Sequence, residues 1–385
     1  MSNNISQFTS CANCGACMNI CPTDAISMDT SEYFYRYVVN SEKCLDCGAC
    51  VKVCPLNTPI PHLNLKGAYG GWHRDKKVVK TSSSGGAFTA IANYVLSKGG
   101  VVYGAAYTDD CKEVVCKSTE DTTLDNIKRS KYVESTVRFA FREIKAKLEE
   151  GRYVLFCGTP CQVAGLMRYL DRHYERLLTV DFACGGLTSH RVYQEYLSHL
   201  EKRFHSNVCA VNFRAGLYGW KIHSLKIDFE NRKSYKMPAE LDPYVYSFMY
   251  ARCANRYNCF DCKFRDTHYS DFVIADYWRW FEYSNLQNDE TGISLILTNS
   301  EKAEQVIEYL SEEMYLEKQD LNKASYNCYV KSPVSAELLK KREHFWLNYE
   351  KSGLKEAAIH AGLQHGVKAW LQKMRITLAK RKYVI

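Results

Sequence analysis

The chain has 385 residues, which exceeds one typical domain and predicts two or three units with a buried core. A hydrophobic fraction of 46% and a charged fraction of 24% fit a globular protein, and no run of 18 apolar residues predicts a membrane span. The first residues, MSNNISQFTS, contain no basic and apolar leader, so the eighteen cysteines of an expected cytoplasmic chain indicate metal or redox chemistry rather than disulfides. The formal net charge of +8 is compatible with an acidic partner such as nucleic acid.

Two cysteine motifs form an internal repeat in the first part of the chain. Residues 11–22 read CANCGACMNICP and residues 44–55 read CLDCGACVKVCP, and both fit C-x2-C-x2-C-x3-C-P. In this spacing three thiolates of one loop bind a cubane cluster, while the fourth cysteine starts a short helix and serves the other cluster. The predicted ligand sets are Cys11, Cys14, Cys17 and Cys54 for one 4Fe-4S cluster, and Cys44, Cys47, Cys50 and Cys21 for the other.

This repeat resembles the bacterial two-cluster ferredoxins and predicts a ferredoxin-like domain over residues 1–64. Two zinc knuckles are the alternative, but paired C-x2-C units would leave the middle cysteines unexplained. Three prolines between Pro55 and Pro61 then predict an extended linker before the next domain.

Short β-branched or aromatic runs alternate with helical patterns over residues 65–330. Apolar residues recur at helical spacing over residues 88–96 and 137–148. The predicted strands are residues 101–107, 153–156, 177–182, 208–213, 225–229, 272–275 and 293–297. The alternation predicts a mixed-sheet α/β domain flanked by helices.

A run of hydroxyl residues and glycines, TSSSGG at residues 81–86, precedes the first of these helices. Free N–H groups and the positive end of a helix dipole suit a phosphate. An ordinary serine cap is an equal alternative, because the run lacks both the Walker lysine and the G-x-G-x-x-G spacing.

Five segments in order carry a more specific resemblance: SSSGGAFTAIANYVLSKGGVVYGA (82–105), RSKYVES (129–135), LFCGTPCQVAGL (155–166), TVDFACGG (179–186) and NCFDCKF (258–264). Together they resemble the beta-subunit family of coenzyme F420 hydrogenases and dehydrogenases over about residues 65–330. Deazaflavin-dependent sulfite reductase and 7-hydroxymethyl chlorophyll a reductase are similar proteins. The resemblance implies an FAD site and one further 4Fe-4S cluster in this domain, which makes three clusters in all.

The resemblance also implies the ligands of the third cluster, which are Cys161, Cys184, Cys259 and Cys262. The first two each follow a predicted strand, so we expect them at one edge of the sheet. Zinc is the alternative metal, and Cys157 or Cys253 is an alternative ligand. Cys116 and Cys209 lie in β-like runs and are expected to be small core residues.

The flavin contacts are likewise implied by the resemblance. They are Ser83, Ser84, Gly85 and Gly86 around the phosphates, with Lys131 and Tyr132 from the second segment. Lys131 could pair with a pyrophosphate oxygen and Tyr132 could pack on a ring. A solvated lysine and a core tyrosine are the alternatives. The choice between FAD and FMN stays open, as does the question whether Asp276 and Trp278 touch flavin or only end a strand.

Residues 331–385 form a helical C-terminal tail that is basic at its end, where Lys373, Arg375, Lys380, Arg381 and Lys382 lie. Phe345, Trp346 and Trp370 occupy apolar positions. The pattern favours a solvated helical cap over the core, and a contact with a membrane surface is the less favoured alternative.

Iron–sulfur clusters transfer single electrons, whereas deazaflavins and nicotinamides exchange hydride, so a flavin is needed between them. The sequence therefore predicts an enzyme, a flavin-dependent iron–sulfur oxidoreductase that passes electrons between an F420-like hydride carrier and a redox partner protein or ferredoxin. The alternatives are a ferredoxin-fed terminal reductase of an organic, even a glycan-pathway, substrate and a non-enzymatic electron-transfer subunit. Three oxidised clusters would carry roughly six negative charges and leave the holoprotein at about +2, so we expect no nucleic-acid partner. Assembly into an oligomer is compatible with this prediction.

Overall fold

The computed structural model describes residues 3–8, 10–265, 267, 269–286, 291–326 and 334–382. Cys328, one of the eighteen cysteines, and the predicted boundary after residue 330 lie outside them. The strands are β1 Ile26–Asp29, β2 Arg36–Val39, β3 Gly67–His73, β4 Val101–Tyr107, β5 Val114–Thr119, β6 Ser135–Thr136, β7 Val154–Cys157, β8 Leu177–Phe182, β9 Val208–Asn212, β10 Ser224–Phe229, β11 Ser234–Pro238, β12 Phe272–Asp276, β13 Ser294–Thr298 and β14 Met314–Lys318. The helices are α1 Ala16–Ile20, α2 Ala49–Lys52, α3 Lys76–Lys80, α4 Ala87–Ser97, α5 Ala140–Glu149, α6 Pro160–Leu170, α7 His190–Phe204, α8 Pro243–Val245, α9 Trp280–Tyr283, α10 Glu301–Glu313, α11 Leu321–Tyr326, α12 Ala336–His360 and α13 Gly366–Lys382.

A nine-stranded mixed sheet forms the centre of the molecule, in the order β14-β3-β13-β12-β8-β7-β4-β5-β6. Its middle strands β12, β8, β7 and β4 run parallel. Antiparallel strands extend it on both sides, β13, β3 and β14 on one and β5 on the other. Two smaller antiparallel sheets consist of β11-β10-β9 and β1-β2. This mixed sheet with its helices, behind a ferredoxin-like region and before a helical tail, confirms the predicted fold class.

All seven predicted strands are present, and none of their ends moves by more than one residue. The strand β3 was not predicted, because its sequence GAYGGWH contains three glycines and glycine is depleted in strands. The structure explains those glycines by close packing. A Cβ atom at Gly71 would collide with the carbonyl group of Tyr315, and one at Gly70 would lie 2.9 Å from the Tyr277 ring.

The cysteine-rich region packs directly against the α/β domain. Helix α1 lies on α6 and α5. A Cβ atom at Gly165 of α6 would lie 2.9 Å from the Cβ of Cys14, and one at Gly15 would collide with Val137. Cys14 shares one hydrophobic core with Phe141 of α5 and with the strand β7. The contacts between the two regions are therefore as close as those within a single core.

The two helices of the tail behave differently. In α12, Phe345 is 1% exposed and Tyr349 packs beside it in the core that also holds Tyr244. The predicted cap over the core is confirmed for this helix. In α13, Trp370 is 59% exposed, so the prediction that this tryptophan belongs to the cap is wrong. Among the described residues, no helix combines the length and the apolar character needed to cross a membrane.

Candidate functional site

The first set of four thiols contains cysteines from both ferredoxin motifs. Burial raises the pKa of the Cys14 thiol, and the neighbouring thiols of Cys17, Cys11 and Cys54 raise it further. Burial likewise raises the pKa of Cys17, beside Cys11 and Cys54. Cys54 therefore lies next to three thiols of the other motif, as the crossed ligand pattern of a two-cluster ferredoxin requires.

The second set surrounds a small cavity of about 20 Å³, which is lined by Cys21, Cys44, Cys47 and Cys50 among others. Asn4 directs its side-chain amide at the Cys44 sulfur over 3.7 Å, and the Ala25 N–H donates to the Cys21 sulfur over 3.3 Å. N–H groups aimed at sulfur suit thiolates that bind a cluster. Cys21 of the first motif thus joins the cysteines of the second motif.

The short helices of the two motifs begin earlier than predicted. Gly15 and Gly48 have φ values of 80° and 74° and precede α1 and α2, which contain the third cysteine of each motif. These helices end before the fourth cysteine, at Ile20 and Lys52. The expectation that the fourth cysteine starts a helix is therefore wrong. A positive φ at glycine turns the chain so that the helix can begin directly after it.

The third set of thiols is assembled from three separate segments. Burial raises the pKa of Cys184 to about 12, with the thiols of Cys259 and Cys262 adding to the rise. Burial also raises the pKa of Cys161, and Cys184 and Cys259 are among its neighbours. Three of these cysteines and Cys54 line one cavity of about 600 Å³. The third set therefore lies directly beside the first set.

Helix α6 fixes Cys161 in its first turn. Thr159 caps the helix in a reciprocal pair with Gln162, whose side chain accepts the Thr159 N–H over 3.0 Å, and Pro160 occupies the first helical position. The Thr159 hydroxyl lies 3.1 Å from the Cys161 sulfur, and that sulfur lies 3.4 Å from the carbonyl oxygen of Ala12. The turn that follows β7 thus aims Cys161 at the first ferredoxin loop.

The alternative ligands lie elsewhere. Cys157 lines a different cavity, and burial raises its pKa to about 12. Cys253 is fully buried in the core around Tyr244, where its sulfur lies 3.4 Å from the Ala251 carbonyl oxygen. Cys116 is half-buried, whereas Cys209 is exposed, so the prediction of a core residue is wrong for Cys209. In the described part of the chain, no three His, Cys, Asp or Glu side chains form a group that could hold a metal ion, so the ligand sets stay predictions.

A second cavity, of about 330 Å³, lies at the carboxyl ends of the parallel strands β7, β8 and β12. Such crevices are where open α/β sheets bind their ligands. It gathers all of the predicted flavin contacts except Gly85, and its lining also includes Cys157, Thr159, Cys184, Asp276 and Trp278. Cys184 and Thr159 therefore connect this cavity to the third set of thiols.

The serines of the TSSSGG run brace the loop at one end of this cavity. Ser84 donates its hydroxyl to the carbonyl oxygen of Ile293 over 2.7 Å. Ser83 accepts the Ser130 N–H over 2.8 Å, which ties the loop to the RSKYVES segment. Gly86, with a φ of 95°, precedes α4, and the cavity reaches the first turn of that helix at Ala87 and Phe88. The N–H groups of a first helical turn have no partner within the helix and suit a phosphate.

Lys131 and Tyr132 line the same cavity with different surroundings. The Lys131 ammonium donates to the carbonyl oxygens of Lys128 and Arg129 over 2.6 and 3.3 Å, and burial lowers its pKa to about 7. It is therefore not the solvated lysine of the alternative prediction. Tyr132 packs against the rings of Phe213 and Phe248, with centroids 5.5 and 5.6 Å away. These contacts agree with the alternative prediction that Tyr132 is a core tyrosine.

A group of polar and aromatic residues surrounds Asp276 and Trp278, which both line the cavity. Arg214 binds Asp276 through two hydrogen bonds of 2.6 and 3.2 Å, and the Trp220 indole donates to the same carboxylate over 3.2 Å. The Trp220 and Trp278 rings stack with centroids 4.7 Å apart. Burial lowers the pKa of His223, whose ring lies 5.2 Å from Trp278, to about 4. Asp276 ends β12 and also anchors this group.

Sequence reasoning missed three residues that organise the site. Arg214 lies in a loop without a motif, and nothing in the sequence distinguishes it. Glu134 and Arg256 form a buried ion pair of 2.7 Å between the second and the fifth resemblance segments. Glu134 lies inside the RSKYVES segment and Arg256 lies three residues before Cys259. The position of Glu134 within one resemblance segment, and of Arg256 close to another, is the one sequence signal that could have indicated this pair.

The two cysteine motifs and the crevice of the α/β domain are typical of an iron–sulfur protein of the oxidoreductase type. Comparison with known protein families finds two matches along the chain. Residues 10–58 match the 4Fe-4S dicluster domain, and residues 151–324 match the C terminus of the beta subunit of coenzyme F420 hydrogenase/dehydrogenase. Two regions of the chain thus match a 4Fe-4S dicluster domain and the C terminus of the coenzyme F420 hydrogenase/dehydrogenase beta subunit, which confirms the predicted resemblance.

Among solved structures, the chain is similar to one chain of the F420-reducing [NiFe] hydrogenase complex from Methanosarcina barkeri, studied as a xenon derivative. The two are 15% identical, with a TM-score of 0.46, and the match covers 77% of this chain and 92% of the other. No curated protein matches the sequence.

Proposed function

We propose that the chain is a flavin-dependent iron–sulfur oxidoreductase that passes electrons between a hydride carrier of the deazaflavin type and a redox partner such as ferredoxin. The observation that carries the proposal is that the crevice lies beside the third set of thiols, which in turn lies beside the first set. Cys184 lines the crevice at the strand ends and lies beside Cys259 and Cys262. Cys259 and Cys262 in turn line a cavity together with Cys54 of the ferredoxin-like domain.

The residues of the three thiol sets fit 4Fe-4S clusters by the chemistry of their donors. Each set offers four free cysteines, and thiolate is the usual ligand of such clusters. The first cluster would be bound by the loop after Cys11, and the second by the loop after Cys44. The third would be bound by the start of α6 together with the loop of Cys259. We propose these three clusters as the resident metal groups.

The crevice fits a flavin dinucleotide on two grounds. The first turn of α4 and the Lys131 ammonium, both beside the cavity, are suited to a pyrophosphate. The apolar part of the lining, which includes Ile127 and Phe248, is suited to an aromatic ring system. A flavin bound there would exchange hydride with a two-electron carrier and single electrons with clusters.

The side chains of the crevice have roles other than acid–base catalysis. Hydride transfer to a flavin requires no general base from the protein, so its residues orient the ring and exclude water. Arg214 and Asp276 neutralise each other's charge, and Asp276 also holds Trp220, which stacks on Trp278 of the crevice lining. In a cytoplasmic location, a hydride carrier would enter at this side and a partner protein would meet the exposed ferredoxin loop at Cys47.

Anaerobic reduction of the reconstituted holoprotein tests the proposal. Reduced deazaflavin should bleach the flavin absorbance first and the cluster absorbance afterwards, whereas NADH should react poorly because the sequence holds no G-x-G-x-x-G fingerprint. Comparable rates with NADH would instead define a nicotinamide oxidoreductase. Fast reduction by ferredoxin, with no reaction towards any hydride donor, would favour a terminal reductase of an organic substrate. Absence of bound flavin in the reconstituted protein would leave only an electron-transfer subunit.

A further inference from the structure

The helix α13 exposes a continuous apolar face. Its large apolar residues Val367, Trp370, Leu371, Met374 and Leu378 are between 42% and 72% exposed. At about 100° per residue these five positions fall within an arc of about 100° on the helix surface. A surface helix of a globular protein normally turns such a stripe towards the core, so this orientation needs a partner.

The opposite face of α13 is the one that meets the protein. Ala369, Gln372 and Ile376 are partly buried, and the Gln372 side chain donates to the Glu240 carboxylate over 2.7 Å. The helix therefore lies on the body through this face, which includes only one large apolar residue, Ile376, and directs its more apolar side outwards. Rotation of α13 to bury the stripe would break the Gln372 contact, so the two faces are not equivalent.

The charge of this region is as unusual as its exposed stripe. Residues 357–385 contain six Lys or Arg and no Asp or Glu. Without those six, the 51 Lys and Arg of the chain become 45, against 43 Asp and Glu, so six of the eight net positive charges lie in this segment. Lys368 and Arg375 fall on one flank of the apolar arc.

We propose that α13 is a peripheral membrane anchor that lies in the surface of an anionic lipid bilayer. An outward apolar stripe that contains a tryptophan and is bordered by lysine and arginine is the pattern of helices that lie in the membrane interface. Basic residues beside the stripe attract anionic headgroups, which matches the concentration of positive charge in this segment. The helix is 17 residues long and carries its exposed large apolar residues within one arc, so it rests on the bilayer and does not span it.

A nucleic acid would not suit this surface, because the centre of the exposed face is formed by apolar residues and Lys368 and Arg375 lie at its edge. An acidic groove of a protein partner or a second copy of the chain would also cover the stripe. These occupants differ from a bilayer in the measurements that detect them. The proposal is independent of the flavin and the clusters, since no residue of α13 lines either cavity.

Co-sedimentation of the anaerobically reconstituted full chain with lipid vesicles tests the proposal. We expect binding to vesicles of phosphatidylcholine mixed with phosphatidylglycerol, much weaker binding to phosphatidylcholine alone, and release by salt. The double variant Leu371→Asp with Met374→Asp should weaken binding by about tenfold or more. Leu347→Asp, at a position of α12 that is 64% exposed, is the matched control and should bind like the wild type.

The second variant, Lys368→Gln with Arg375→Gln, should reduce binding to the anionic vesicles and leave the weak binding to phosphatidylcholine unchanged. Unchanged iron content and unchanged reduction rates in solution would show that each variant is folded. Absence of vesicle binding by the wild type, or equal binding by the double aspartate variant, would overturn the proposal. A dimer seen in sedimentation that disappears in this variant, without any lipid binding, would assign the stripe to a second copy instead.

Discussion

The Glu134 carboxylate and the Arg256 guanidinium form an ion pair that is almost completely buried, with Oε1 2.7 Å from Nη2. The same carboxylate accepts the N–H of Tyr35 over 3.0 Å and the amide of Asn13 over 3.2 Å. Arg256 in turn donates to the carbonyl oxygen of Cys11 over 3.2 Å. One ion pair of the α/β domain thus holds two segments of the ferredoxin-like domain, beside the first and third thiol sets.

Removal of one partner should be costly because the other charge stays buried. We expect Arg256→Met to lower the free energy of unfolding by about 3–5 kcal/mol. Denaturant unfolding of the holoprotein under anaerobic conditions measures this loss. The matched control is Arg172→Met, since Arg172 pairs with Glu149 at 3.3 Å on the surface and should contribute less than about 1 kcal/mol. Equal effects of the two variants would mean that the buried pair does not hold the domains together.

The two cysteine motifs and the main strands could be recognised because their signals are local. Each motif lies within twelve residues, and a strand such as β8 is a short apolar run between turn residues. The ion pairs could not be predicted, because Glu134 and Arg256 are 122 residues apart and follow no periodic pattern. The same holds for Arg214 and Asp276, which only the folded sheet brings together.

The outward orientation of α13 was missed for a related reason. Amphipathic periodicity shows that one side of a helix is apolar, but it does not show what that side faces. The pattern of Phe345 and Trp346 on α12 was interpreted correctly as a contact with the core. The similar pattern around Trp370 predicts the same cap, whereas the contact of Gln372 with Glu240 fixes the helix in the reverse orientation.

The third thiol set predicts a specific loss of iron. The reconstituted wild type should hold roughly twelve iron atoms, and Cys161→Ser should hold roughly eight, because its partners lie outside the ferredoxin-like domain. Iron analysis and the paramagnetic resonance signals after reduction measure the change. Cys157→Ser is the control, since Cys157 lines the crevice instead and should keep all three clusters. Loss of a cluster in Cys157→Ser alone would move the ligand to the other end of that turn.

The serine loop predicts how charge affects flavin retention. Ser83 has its hydroxyl hydrogen-bonded to Ser130, next to the first turn of α4. Ser83→Asp places a negative charge where a phosphate is proposed and should weaken flavin binding by about tenfold or more. Ser83→Ala removes only the hydrogen bonds and should change the affinity far less. These variants avoid the strain that a side chain at Gly86 would cause at its φ of 95°.

The pKa of Lys131 predicts a pH dependence of flavin binding. Burial lowers this pKa to about 7 in the flavin-free protein, so the side chain is largely neutral above that pH. A bound pyrophosphate would favour the charged ammonium and raise the pKa, so flavin binding would take up a proton above pH 7. The affinity for FAD should then fall as the pH rises from about 7 to roughly 9, by up to about tenfold per pH unit.

Titration of flavin fluorescence at several pH values measures this slope, and two variants isolate its cause. Lys131→Arg keeps its charge throughout the range and should bind with little pH dependence, whereas Lys131→Met should bind weakly at every pH. Without flavin, the unfolded state binds the proton between pH 7 and the ordinary lysine pKa of 10.5 while the folded state does not, so the wild type should gain stability as the pH rises through that range. Lys131→Met should lose this gain. A wild-type affinity that does not change with pH, together with normal binding by Lys131→Met, would place the phosphates away from Lys131 and leave the first turn of α4 as their only proposed contact.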